Sequence, residues 1–191
     1  MKLAIIGNGN IGSGLAGALA RAGHEAHAYG RGDDLAAAIS GAEVVILATP
    51  FGAAQQIAGV ANFAGKTVID VSNPITEDFS GLQIGHDTSA AETIAALLPD
   101  AKVVKAFNTV FAQHYSGDLK IGGTAIQTFV AADDEAARET VMALASSIGL
   151  EPINAGPLKN ARYLEPLGFM NIQFGYVLGL GTGIAPKWQI A

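Results

Sequence analysis

Three glycines, Gly7, Gly9 and Gly12, sit in the stretch "GNGNIGSG" (7–14), between the apolar run "KLAIIG" and the Ala-rich "LAGALARAG". Residues of that type at that spacing can cradle a diphosphate. The first glycine permits a tight turn out of a strand. The second leaves backbone room for a pyrophosphate, and the third lets the next helix pack closely on the strand. Free amides at the start of that helix, and the positive end of its dipole, then hold the anion. A chain with 24 Gly in 191 residues meets such spacings by chance. The strand before, the helix after and the alternating pattern beyond turn the spacing into a dinucleotide site rather than a glycine-rich turn.

The end of the second predicted strand selects the nucleotide. About 20 residues past such a glycine motif, an NAD site usually carries Asp or Glu for the ribose 2′-hydroxyl. Here the chain reads Tyr29, Gly30, Arg31, Gly32. Arg31 stands at the strand end, and a guanidinium can grip a 2′-phosphate with paired hydrogen bonds. NADP is favoured over NAD on that ground. Asp33 and Asp34 follow, and they could reach the hydroxyl or repel the phosphate. An exposed loop cation is the alternative role for Arg31.

Three other strand ends carry polar and turn residues. In "ATPF" (48–51), Pro50 and Phe51 could wall a cofactor. In "SNP" (72–74), the Asn73 amide could hydrogen-bond a nicotinamide or its ribose, and "FNT" (107–109) ends the next strand. Such residues favour turns anyway. Three of these ends on one edge of a sheet point to a site.

No acid–base constellation stands out. His24 and His27 flank the second strand, while His86 and His114 lie in loops that could overhang the site. Either loop histidine could donate a proton, and a solvated loop position is the alternative for each. Asp70 falls inside a strand and reads as a buried, hydrogen-bonded group. No HExxH or close His/Asp cluster suggests a metal, and no GxSxG elbow suggests a hydrolase. Cys is 0, which excludes disulfides, thiolate metal sites and cysteine nucleophiles. What remains is a reaction that asks little of the protein. Hydride transfer between two bound redox carriers, held face to face, is one.

The elements that must position these residues alternate in period. Strands are predicted at 2–7, 24–30, 43–50, 66–74, 102–109, 127–133 and 150–156, and helices at 11–22, 33–40, 52–61, 89–99, 134–148 and from 160 onward. Asp33 reads as the cap of the second helix, and Ser89 with Glu92 as a capping box for the fourth. Residues 75–88 and 110–126 read as loops leaving strand carboxyl ends. Strand, helix, strand with short links means parallel strands joined by right-handed crossovers. The fold class is α/β: a doubly wound, mainly parallel Rossmann sheet with a C-terminal helical extension. Ligands bind such sheets at the strand carboxyl ends. The expected division is a nucleotide-binding domain over 1–156 and an extension over 157–191 that packs on it or forms a dimer interface.

The chain's totals narrow the class. Half of the residues are hydrophobic and 15% are charged, which suits one sizeable core and argues against disorder. The net charge of −6 argues against nucleic acid as a partner. The start could pass for a signal peptide, but "GNGN" breaks its apolar run too early. In the apolar tail "LGFMNIQFGYVLGLGTGIA", Asn171, Gln173 and the glycines oppose a spanning helix. No membrane partner and a cytoplasmic location are expected.

Motifs along most of the chain resemble one family. They are "IIGNGNIGSGLA" (5–16), "YGR" (29–31), "ATPF" (48–51), "DVSNP" (70–74), "SAAETIAALLPDAKVVKAFNT" (89–109) and "AGPLKNARYLEPL" (155–167). The chain resembles the deazaflavin-dependent (coenzyme F-420) NADP oxidoreductases, and is similar to the reductase domain of six-transmembrane metalloreductases. The last motif is the most specific, because the fold does not demand it. The resemblance implies that Asn8, Gly9, Asn10 and Ile11 bind pyrophosphate and that Arg31 takes the 2′-phosphate. It also implies that Thr49, Pro50 and Phe51 lie along the cofactor, with Asn73 and Pro74 near the nicotinamide. The family usually has Ser before the arginine and often Lys a few residues later, where this chain has Gly30 and Leu35. The tail after 167 matches less well.

These readings lead to an NADP(H)-dependent oxidoreductase, with NADP(H) as cofactor and a deazaflavin or flavin as the small-molecule redox acceptor. A homodimer through the apolar tail is expected. Reduction of a small imine or ketone with His114 or His86 as proton donor is the alternative chemistry. A nucleotide-sensing module without turnover is the alternative class.

Overall fold

The computed structural model of the chain describes residues 1–189. Strand β1 (Lys2–Ile6) leads into helix α1 (Asn10–Arg21), β2 (Glu25–Tyr29), α2 (Leu35–Gly41), β3 (Val44–Leu47), the short α3 (Ala54–Ala58) and β4 (Thr67–Asp70). Then come α4 (Ala90–Leu97), β5 (Lys102–Lys105), a small hairpin of β6 (Lys120–Ile121) and β7 (Thr124–Ala125), β8 (Gln127–Ala132), α5 (Glu135–Ser147), β9 (Glu151–Asn154) and α6 (Ala161–Ile172). Helix α6 runs on as a π-helical turn, Gln173–Val177.

Seven strands form one sheet in the order β2-β1-β3-β4-β5-β8-β9. The first five are mutually parallel. In register, Ile5 lies beside Ala28 on one side and Ile46 on the other. Both faces of these strands are apolar, as a sheet covered by helices on each side requires. Leu3 and Ile5 belong to one core layer with Leu15, Leu19 and Val141. Ala4 and Ile6 belong to the other, with Ile39, Ile57 and Ile94. The chain leaves β1 for β2 on one side and returns to β3 on the other. The carboxyl ends of β1 and β3 therefore flank a switch point, where such sheets bind ligands.

Several sequence expectations shift in detail. Strand β8 runs antiparallel to β5, with Val104 beside Ala132. Asp34, not Asp33, caps α2: its carboxylate accepts from the Ala37 amide at 3.0 Å. The Asp33 carboxylate accepts instead from the Gly30 amide at 2.6 Å, closing the turn after β2. Strands β3, β4 and β5 stop several residues short of their apolar runs, because "ATP", "SNP" and "FNT" leave the ladder. Ser89 caps α4 as read, accepting from the Glu92 amide at 3.1 Å. Beyond Val177 the tail is no longer helical; Gln113 donates to the Thr182 carbonyl, and the Gln127 side chain pairs with the Trp188 backbone. No helix of the described residues is long and apolar enough to cross a membrane.

Candidate functional site

The turn after β1 has the geometry that its glycines suggest. Gly7 sits at φ +114, its amide donates to the Tyr29 carbonyl at 2.7 Å, and a Cβ there would lie 2.3 Å from the Ala48 carbonyl oxygen. A Cβ on Gly12 would lie 1.8 Å from the Gly7 carbonyl oxygen, so helix and strand touch backbone to backbone. Gly9 differs: nothing lies within 4 Å of its Cβ position. It is the N-cap of α1, and among the described residues no side chain caps that helix end. The first amides of α1 are thus left for an outside acceptor.

The Asn8 side chain lies over Gly30, where a Cβ would come within 2.4 Å of its amide nitrogen. Gly30 is therefore the residue that Asn8 packs on. Arg31 is exposed one position further, and among the described residues it has no carboxylate within ion-pair distance. The carboxylates of Asp33 and Asp34 are taken up by backbone amides at 2.6 and 3.0 Å.

From this turn a cleft of about 360 Å³ runs across the carboxyl ends of β3, β4 and β5. Asn10 and Ile11 stand at its near end, and Thr49, Pro50, Ser72, Asn73, Asn108 and Thr109 along its floor. Gly168, Asn171, Ile172 and Tyr176, from α6 and the turn after it, form the far wall. The "SNP" and "FNT" ends meet here. Asn73 donates to the Asn108 carbonyl at 2.9 Å, and Asn108 donates to the Asn73 side-chain oxygen at 2.9 Å and to the Leu164 carbonyl at 2.8 Å. Gly168 is what lets α6 approach this amide pair, since a Cβ there would lie 2.6 Å from Asn73 Oδ1. Phe107, buried at φ +63, turns the chain into the cleft in a conformation that a non-glycine residue adopts only when its surroundings impose it.

Ser72 Oγ, Asn108 Oδ1 and Thr109 Oγ1 are buried without a partner among the described residues. An orphaned buried polar atom costs about 1–3 kcal/mol, and all three belong to cleft residues. Loop 75–88 overhangs the cleft through Ile75 and is pinned by Gln173, which donates to the Phe79 carbonyl at 3.0 Å. Within that loop, hydroxyl donation from Thr76 and Ser80 holds the Asp78 carboxyl down to about 2.

The structure gathers Asn10, Ile11, Thr49, Pro50 and Asn73 at the cleft, with Gly7, Asn8, Gly9 and Gly12 at its entrance. Phe51 and Pro74 stand next to lining residues without lining it themselves. His86, exposed at φ +60, and His114, half-buried with an unpartnered Nε2, do not line it. Among the described residues no group of three or more His, Asp or Glu is placed to hold a metal. Sequence reasoning missed the far wall and, beneath the floor, a buried cluster. Asp70 there pairs with Lys105 at 2.7 Å, and Lys105 with Glu165 at 2.9 Å. Burial raises the Glu165 carboxyl above its ordinary value, and the charge of Lys105 opposes that rise.

The sheet order, the glycine turn at the switch point and the cleft along the strand ends define a Rossmann-type dinucleotide fold. No family model matches the chain. Metalloreductase STEAP3 of Rattus norvegicus is 32% identical over 131 residues, which is 68% of this chain and 26% of that protein. The chain thus spans about a quarter of the length of that curated relative. A crystal structure of a candidate F420-dependent NADP-reductase from Arthrobacter sp. FB24 is 29% identical and covers 100% of both chains, with a TM-score of 0.84. A hypothetical protein from Sinorhizobium meliloti is 31% identical over 83% of this chain and 86% of its own, with a TM-score of 0.71. These likenesses support the resemblance to deazaflavin (coenzyme F-420)-dependent NADP oxidoreductases and to the reductase domain of six-transmembrane metalloreductases.

Proposed function

We propose that the chain is an NADPH-dependent reductase that passes hydride to a planar redox ring, a deazaflavin or a flavin. The observation that carries this reading is the cleft itself. It opens from an uncapped helix end beside Gly9, runs past the "ATP" and "SNP" ends, and is lined by amides, hydroxyls and apolar side chains. The glycine turn fits a dinucleotide: Gly7 and Gly12 are filled by backbone, while Gly9 keeps open the space that a pyrophosphate needs. Bound NADP(H) supplies the hydride chemistry.

The chain's own residues do the rest. The amides of Asn10 and Ile11 would take the pyrophosphate, and Arg31 the 2′-phosphate, its acidic neighbours being engaged elsewhere. Thr49 and Pro50, with Phe51 behind them, would wall the nicotinamide half. Asn73, fixed by Asn108, would orient the ring, with Pro74 stiffening the turn. The far wall on α6 would seat the acceptor and exclude water. Residues 1–156 would then carry the nucleotide and 157–191 complete the acceptor side. The Arthrobacter structure, alike over its whole length, supports this reading.

The test is oxidation of NADPH in the presence of deazaflavin, FMN, FAD and a panel of small carbonyls, beside calorimetric affinities for NADPH and NADH. Turnover with a ring acceptor is expected. Arg31→Ala should weaken NADPH about 10- to 100-fold, the worth of a charge-assisted pair, and leave NADH within about twofold. An unchanged preference would remove Arg31 from the phosphate site.

A further inference from the structure

Asp70, Lys105 and Glu165 are the charged residues buried among the described ones, and the reaction proposed above uses none of them directly. Asp70 ends β4 and Lys105 ends β5, side by side in register. The Lys105 ammonium meets Asp70 Oδ2 at 2.7 Å and Glu165 Oε1 at 2.9 Å, and donates to the Ser72 carbonyl. Asp70 Oδ1 accepts from the Ser72 amide at 2.9 Å. Both peptide groups of a cleft-floor residue are therefore clamped by the cluster. On the other side, Glu165 accepts from the Ala90 and Ala91 amides at 2.9 and 3.2 Å, which ties α6 to the start of α4.

Helix α6 then carries Gly168, Asn171 and Ile172 into the far wall. Apolar residues of the same volume would build this layer without desolvating three charged groups, so the cluster adds little as a stabiliser. What it adds is direction: charge-assisted bonds fix separations that apolar contacts leave loose. We propose that Asp70, Lys105 and Glu165 are positioning residues that set the gap between the Ser72–Asn73 floor and α6, and with it the approach of a nicotinamide to an acceptor ring. This rests on the hydride transfer proposed above. Rates of such reactions fall steeply with small misplacements of the reacting atoms.

Glu165→Gln tests it, with Arg162→Gln as control. Arg162 also ties α6 to α4, through Glu92 at 2.7 Å, but does not reach the floor. For Glu165→Gln, kcat should fall about tenfold or more, and the isotope effect with NADPH deuterated at the transferred position should rise. KM for NADPH should stay within about twofold, since the phosphate grip lies elsewhere. In the ligand-free protein, amides of residues 71–73 should exchange faster in Glu165→Gln and not in Arg162→Gln. Arg162→Gln should lower Tm while keeping kcat. Should Glu165→Gln fail to fold, Glu165→Asp keeps the charge, shortens the reach and serves the same comparison. Wild-type kcat, isotope effect and exchange in the Glu165 variant overturn the proposal, as does an equal loss of kcat in Arg162→Gln. If the wild-type protein reduces no acceptor, the hydride reading falls. The exchange at 71–73 then decides the clamp alone, faster exchange supporting it and unchanged exchange overturning it.

Discussion

Gly9 and Gly12 are chemically identical and do opposite work, which substitution can separate. A methyl group at Gly12 would meet the Gly7 carbonyl oxygen at 1.8 Å, whereas one at Gly9 meets nothing within 4 Å, at an ordinary φ of −71. Gly12→Ala should therefore cost about 1–3 kcal/mol, as overpacking of backbone against backbone does, and lower Tm accordingly. Gly9→Ala should lower Tm by only a few °C, the roughly 1 kcal/mol cost of alanine at an N-cap, less than Gly12→Ala, yet weaken NADPH by about tenfold by filling phosphate space. Melting curves and calorimetry on the two variants check both arms; equal affinity in Gly9→Ala and wild type would move the phosphate elsewhere. At this scale the glycine spacing and Asp70 were legible in the sequence. Lys105 and Glu165 were not. A lysine closing "KVVKAF" reads as a surface charge at a strand edge, and its second carboxylate lies 60 positions away on a helix whose buried face no short motif reveals.

At the scale of elements, α4 and α6 are joined by two carboxylates whose contributions to stability depend on pH in opposite senses. Hydrogen bonds from Arg162, with help from Ser89, hold the Glu92 carboxyl below its ordinary value. The folded chain binds that proton less tightly than the unfolded chain, so the contribution is present above about pH 4.3. It is lost as pH falls through the lowered folded value. Glu165 is raised by burial. Its contribution is fully present below the ordinary carboxylate range and declines as pH rises through the raised value. Glu92→Gln should lower Tm by about 2–3 °C at neutral pH, where a bidentate, half-exposed pair is intact. That difference should shrink below about pH 4. Thermal melts from pH 3 to 7 measure it, and a difference that does not change with pH would remove the ion pair as its cause. Element types were readable from periodicity, but the direction of β8 was not. Its signal was the stretch 110–126, which carries no helix. A parallel neighbour of β5 would need a crossover of a dozen residues or more, usually helical, and this connection offers only a 3-10 turn and a hairpin.

The whole molecule leaves an apolar surface on its last third that a lone copy does not cover. Met170, Phe174, Tyr176, Val177, Leu178 and Leu180 are all exposed, the last four at 60–66%. They follow one another along the end of α6, its π turn and the bend beyond, and Tyr176 also lines the far wall of the cleft. Contiguous exposed apolar surface of this kind marks an interface more often than a tolerated defect. A second copy of the chain is the occupant we propose, and a stable dimer of this type buries on the order of 800 Å² per partner. Light scattering at micromolar concentration should give twice the chain's 19.4 kDa mass. The pair Leu178→Asp and Leu180→Asp should give the single mass, because two charges would have to be desolvated at the contact. Both side chains lie outside the described core, so the monomer should melt as a folded protein and keep its nucleotide affinity through the remote turn at Gly9. Tyr176 connects the surface to the cleft, so acceptor turnover should fall in the monomer while NADPH affinity holds. A wild-type chain that scatters as a monomer would leave this surface without its partner, and an Asp pair that stays dimeric would place the contact elsewhere.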